Sequence, residues 1–189
     1  MNADLLVYQA KAFYNAYIAL DQLSRDDSDT LLLLFAPLVV NGAFSVELAL
    51  KAILAKNQIE YGKEHNLLIL FQMLPKSFQQ ELWAYLIEKA PEYAGSEKGL
   101  DELILLSNAF VDWRYAFEGK PVPAIESRFL AAFANAAVHT MFSYYNADLL
   151  PATKAESNNE IEQRFHENRE KCKKINLKMI QKKTKEHQL

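Results

Sequence analysis

The sequence predicts an all-α protein, an up-and-down bundle of four to five core helices followed by a C-terminal helical extension. Three observations carry this. Half of the 189 residues are hydrophobic, enough for a sizeable core and too many for wholesale disorder. Only 5 glycines and 6 prolines are present, so turns are few and elements long. Apolar residues recur at steps of three and four along most of the chain, and no stretch alternates with period two. One domain is expected over residues 1–150, the bundle, with 151–189 as a charged amphipathic helical tail.

The first helix is predicted from about Ala3 to Leu23, where Leu5, Tyr8, Ala12 and Ile18 share helical spacing. The polar run Ser24–Thr30 reads as a loop, and Ser28 or Asp29 can cap the second helix. That helix runs to about Asn57 and is apolar almost all round, as a central helix would be. Pro37 is expected to kink it or mark a break. After the Tyr61-Gly62 linker, His65–Leu74 reads as a short helix and Phe78–Lys89 as another. Pro91–Gly99 reads as a loop. Leu100–Glu118 is predicted as one helix, because Leu103, Leu106, Phe110, Trp113 and Phe117 form a single stripe. Gly119–Pro123 breaks it, and an Ala-rich helix extends from Pro123 to about Asn146. Leu149–Thr153 closes the body. In the tail, Ile161, Phe165, Cys172, Ile175 and Met179 make a narrow apolar stripe on a charged helix.

Charge is unevenly distributed. Residues 1–153 carry 11 Lys/Arg against 18 Asp/Glu, a net −7, whereas residues 154–189 carry 10 against 6, a net +4. An acidic body repels a phosphate backbone on average, so nucleic-acid contact requires a local basic site or the tail. The tail offers seven lysines and no acid between Lys171 and Lys185. That run suits either an RNA-contacting arm or a helix packed on the body or on another chain. The N-terminus lacks the basic start and apolar run of a secretory signal. The strongly apolar stretch Leu31–Val40 is shorter than the ~20 residues a membrane helix needs. The single cysteine, Cys172, fits a reducing compartment. A soluble cytoplasmic chain with no membrane contact is expected.

Signatures of common chemistry are scarce. Five scattered glycines form no phosphate loop, and no Gly-x-Ser-x-Gly elbow occurs. The histidines, at 65, 139, 166 and 187, have no metal-ligand spacing, so neither a metal site nor a cofactor is expected. Charge inside apolar helices does stand out. Glu47 and Lys51 lie one turn apart in the favourable order, on a face shared with Asn41 and Phe44. They read as a structural ion pair or as part of a site. A second cluster holds Asn108, Asp112, Arg114, Tyr115 and Glu118. Asp112 and Tyr115 share a face, while Arg114 points towards Glu118. An arginine flanked by Trp113 and Tyr115 suits an oxyanion, because its planar fork pairs with phosphate and stacks on rings. A salt-bridged helix surface accounts for the same residues. His65 opens its helix as a capping or packing residue, or as a catalytic one with no partner visible in the sequence.

Three segments resemble the HEPN superfamily: Pro37-Leu-Val-Val-Asn-Gly-Ala-Phe-Ser-Val-Glu-Leu-Ala-Leu-Lys51, Lys63-Glu-His-Asn-Leu-Leu-Ile-Leu-Phe71, and the helix bearing Asp112-Trp-Arg-Tyr115. Their order and spacing agree over roughly residues 5–148. The resemblance implies a bundle of four or five helices that forms a homodimer. Active members are metal-independent RNases of toxin–antitoxin, phage-defence and CRISPR-linked systems. Others bind nucleotides or accompany nucleotidyltransferases. The RNase signature is an arginine followed four to six residues later by a histidine.

Arg114 matches that arginine, but the positions where the histidine would stand are Glu118, Gly119 and Lys120. Arg128 is followed at the same distances by Ala132, Phe133 and Ala134. Without an imidazole, the usual help to an attacking 2′-hydroxyl is missing, and Glu118 beside an arginine makes a weak base. The resemblance therefore implies a non-catalytic, dimeric module. It would bind RNA, a nucleotide or a partner such as a nucleotidyltransferase or antitoxin, through Arg114, Asp112, Tyr115, Asn108, Glu47, Lys51 and His65. The alternatives are an RNase with altered catalytic residues, Arg114 and Glu118 among them, and a pure interaction scaffold.

Overall fold

In a computed structural model of the chain, the described residues are 3–25, 28–94, 97–115, 118 and 123–145. They form seven α-helices: α1 (Ala3–Ser24), α2 (Ser28–Lys56), α3 (Leu67–Met73), α4 (Lys76–Lys89), α5 (Glu97–Leu106), α6 (Ala109–Arg114) and α7 (Ser127–Tyr145). A 3-10 turn, Pro91–Tyr93, precedes α5. The protein is all-α, with no strand among the described residues. The chain divides into residues 1–149 and 150–189, and every described residue lies in the first unit. The predicted tail stripe from Ile161 to Met179, and the Leu149–Thr153 junction, lie outside the described residues.

The core is built around α2. Val39, Ala43, Val46, Ala49, Leu50, Ala52, Ile53 and Leu54 have no exposed surface, because α1, α3, α6 and α7 all pack on this helix. Leu34–Lys56 is long and apolar enough to cross a membrane, yet 78% of its apolar 18-residue stretch is buried inside the protein. It is therefore a core helix by its surroundings. Gly42 is where three helices close up. A Cβ there would stand 3.0 Å from Tyr17 of α1 and 3.1 Å from Leu130 of α7. The kink expected at Pro37 does not interrupt the element: α2 runs through Pro37 from Ser28 to Lys56.

The end of α2 shows how the chain turns. Gln58 adopts the left-handed conformation at φ 59°, Ile59 N–H reaches back to Leu54 O at 3.0 Å and Gln58 N–H to Ala55 O at 3.0 Å. These two bonds close the helix as a Schellman cap, a place usually taken by glycine. Beyond the loop, Asn66 and not His65 caps α3, its side chain accepting from Ile69 N–H at 3.0 Å. The Ala-rich face of α7 buries Ala132, Ala134, Ala136 and Ala137, which brings this helix close to α2 and α4.

The helix predicted over Leu100–Glu118 is two helices. It starts earlier, at Glu97 inside the expected loop, and stops at Leu106; α6 begins at Ala109. Ser107 explains the break locally. Its hydroxyl bonds the Ile104 carbonyl at 2.6 Å and the Leu103 carbonyl at 3.1 Å, the kind of side-chain bond that competes with helix continuation. The distant cause is the α2–α3 loop. Leu67 N–H donates to Ser107 O at 2.8 Å, and Asn66 Nδ2 donates to Asn108 Oδ1 at 3.1 Å. These bonds hold residues 107 and 108 out of helical register and turn α6 onto α2.

Candidate active-site face on helices 2 and 6

Glu47 lies in the middle of α2 and is 1% exposed. An isolated carboxylate at such a depth is strongly unfavourable, and two cation-capable groups meet it. Lys51 Nζ stands 2.7 Å from Oε1, and His65 Nδ1 stands 2.9 Å from the same oxygen. Oε2 has no hydrogen-bond partner among the described residues. The Lys51 ammonium also lies 5.4 Å above the Tyr61 ring, whose phenol is raised above its ordinary range by burial. The expected Glu47–Lys51 ion pair therefore forms, and it gains a third member, His65, from across the loop.

His65 differs from Glu47 in exposure: half of its side-chain surface faces solvent. In a neutral ring, a carboxylate at Nδ1 favours the tautomer with the proton there and the lone pair on Nε2.

The α6 face is assembled by aromatic packing. Phe110 stacks on Phe44 of α2 at 4.2 Å and 13°, and Phe44 meets Phe13 of α1 edge-on at 4.5 Å. Trp113 packs edge-on against Phe35 of α2 at 5.1 Å. These two anchors fix α6 along α2 and leave Arg114 exposed. Its guanidinium lies 4.8 Å over the Phe110 ring and 4.7 Å over Tyr115, and Nη2 donates to the Tyr115 hydroxyl at 3.0 Å. The sequence placed Arg114 off the Tyr115 face; in the structure it contacts both the Phe110 and the Tyr115 rings. Stacking of this kind pre-orients the fork and leaves its other donors free for an anion.

Phe110 joins the two clusters that the sequence kept apart. The His65 ring lies 6.5 Å from it, so Glu47, His65, Phe110 and Arg114 form one continuous series of contacts from the core to the surface. Phe44 and Phe110 were legible in sequence only as a face residue and a core stripe. Nothing in their spacing marks the contact between them.

The remaining candidates are placed less centrally. Asn108 precedes α6; its carbonyl accepts Asp112 N–H at 2.9 Å, and its side chain holds Asn66. Asp112 is half-buried on α6, and Glu118 is exposed just past Tyr115, whose carbonyl it bonds through its N–H at 2.9 Å. Among the described residues no three His, Cys, Asp or Glu side chains come together as metal ligands.

The HEPN domain family model matches residues 38–128. No curated protein and no solved structure matches the chain significantly. The matched segment starts directly after Pro37 in α2, ends at the start of α7, and holds every residue from Glu47 to Arg114 that builds this face. With the all-α bundle around it, this match supports membership of the HEPN superfamily.

Proposed function

We propose that the chain is a HEPN module that holds a phosphate of RNA or of a nucleotide at Arg114, with a base stacked on Tyr115. The observation that supports this reading most directly is the posture of Arg114, exposed and clamped between Phe110 and Tyr115. Tyr115 is itself 40% exposed, and base–aromatic stacking contributes about 1–3 kcal/mol per base. In a homodimer, two such faces would serve one ligand. A nucleotidyltransferase or antitoxin partner fits the same role. Calorimetry with a short single-stranded RNA and with AMP tests the reading. Arg114→Ala should weaken binding about 10–100-fold, and Arg114→Lys should restore little, since a lysine neither forks nor stacks. Equal affinity in wild type and Arg114→Ala would sink it.

A second reading, an RNA-cleaving enzyme, draws on one specific observation. The imidazole missing from the Arg114 helix has a counterpart in His65, which the fold backs with buried Glu47. A histidine in that setting can take the proton of a 2′-hydroxyl. Cleavage of RNA lost in His65→Ala, reduced in Glu47→Gln, and absent on a 2′-deoxy substrate would favour this reading. Binding without cleavage would leave the first.

A further inference from the structure

A largely apolar cavity of about 320 Å³ with several polar groups opens between α1, α4 and α7, and none of its lining residues belongs to the Arg114 face. We infer that it is a second binding site, for a small planar organic anion. Its volume stands at the lower end of ligand pockets, so a one-ring molecule is the right size.

The polar groups of the cavity are mostly donors. Lys11 extends over the Phe142 ring at 5.9 Å and has no carboxylate partner among the described residues. The Tyr14 oxygen already accepts from Asn135 Nδ2 at 2.7 Å, so its own O–H proton is free to donate. Burial, with the neighbouring Tyr85 phenol, keeps Tyr14 protonated beyond the ordinary range, against the opposing effect of the Asn135 bond. No Asp or Glu lines the cavity among the described residues. Glu88, which lies near His139, is held by Lys89 at 2.8 Å and is more acidic chiefly for that reason. An unpaired cation is notable in a body of net charge −7. A donor-rich lining with one uncompensated charge is complementary to an acceptor-rich anion.

The walls select for a flat molecule. The His139 imidazole stacks on Tyr85 at 3.9 Å and 11°, and Phe142 supplies a second ring beneath Lys11. Of the residues lining the cavity, only Tyr85 falls within the matched segment 38–128. Apart from Tyr85 of α4, the lining therefore comes from the first and last described helices.

The test uses the full chain carrying Arg114→Ala, so that the anion contact of the α6 face cannot contribute. Benzoate, neutral benzamide and cationic benzamidine are titrated while the ring resonances of His139 and Phe142 are followed by NMR. Benzoate should bind with shifts at both rings, benzamide about tenfold more weakly, and benzamidine not at all. Lys11→Met should weaken benzoate about tenfold, with Tyr14→Phe giving a smaller loss. Three results would overturn the inference: no benzoate binding at millimolar concentration, equal binding of the three compounds, or benzoate affinity unchanged by Lys11→Met. None of these bears on RNA or nucleotide binding at Arg114.

Discussion

Lys51→Met isolates the energetics beneath the proposed site. Glu47 is 1% exposed and shares Oε1 between Lys51 at 2.7 Å and His65 at 2.9 Å, while Oε2 has no hydrogen-bond partner among the described residues. Removing the ammonium leaves a buried carboxylate with one remaining partner. Breaking a buried pair in this way costs roughly 3–5 kcal/mol. His65 is half exposed and still reaches Glu47, so the lower end applies, about 3 kcal/mol. At roughly 2–4 °C per kcal/mol for a chain of this size, the melting temperature should fall by about 6–12 °C. The double variant Glu47→Leu/Lys51→Met replaces the pair with apolar groups of similar volume and should cost about 1 kcal/mol or less. The non-additivity between single and double variants is the decisive quantity. Urea unfolding followed by the fluorescence of Trp83 and Trp113 measures it. A Lys51→Met cost below about 1 kcal/mol, or a double variant as costly as the single, would refute the buried-pair reasoning.

Asn66→Ala removes both the α3 cap and the bond to Asn108. It should cost about 0.5–2 kcal/mol, and amide exchange at the start of α6 should accelerate; unchanged exchange there would disconnect the loop from the α5–α6 break. Gly42→Leu drives a side chain into Tyr17 and Leu130 and should destabilise by about 3 kcal/mol or more; an unchanged urea midpoint would contradict the close approach of α1, α2 and α7. Alkaline pH should also destabilise the fold. Burial, ahead of smaller contributions from Asp4, Tyr144 and Tyr61, pushes the Tyr145 phenol up to about 12, and burial is likewise the main cause of the upward shifts of Tyr17 and Tyr93. An unfolded tyrosine titrates near about 10, so the fold favours the neutral form. That stabilisation is complete below about pH 10 and disappears as pH rises through the folded values. The urea midpoint should hold up to about pH 9 and fall by about pH 12, less steeply in Tyr145→Phe; a flat profile would show that these phenols do not differ between the two states.

Much of the bundle was legible because its signals are local. The all-round apolarity of α2, the Gly62 punctuation and the Ala-rich stretch of α7 each act within a few residues of where they stand. The Glu47–Lys51 pair was legible for the same reason, since helical spacing alone sets them on one face. The α5–α6 break was not. Leu103, Leu106, Phe110 and Trp113 keep helical spacing straight through it, and the bonds that interrupt the helix come from Asn66 and Leu67, about forty positions earlier. The partner of His65 was hidden likewise, because an 18-residue separation that includes a loop carries no fixed direction. Arg114 lies over Phe110, which is anchored on Phe44 and offers it a ring face. That anchor exists only once α6 is laid on α2.

The placement of Glu47 bears on why this face is built as it is. A buried ion pair contributes little net stability, and apolar side chains of the same volume would serve the core equally well. Retaining a carboxylate in the innermost helix therefore has to be argued from what it orients. Lys51 is nearly as buried as Glu47, so the pair as such presents almost nothing to solvent. His65 is the only member of the triad that reaches the surface, and its ring orientation is what the shared oxygen fixes. Phe110 then sets Arg114 on the next turn of α6, over the ring that His65 also approaches. An imidazole held from below and a guanidinium held from the side are two groups with fixed geometry and open outer faces. For the proposed phosphate site, those two constraints are what the buried carboxylate and the stacked ring would supply.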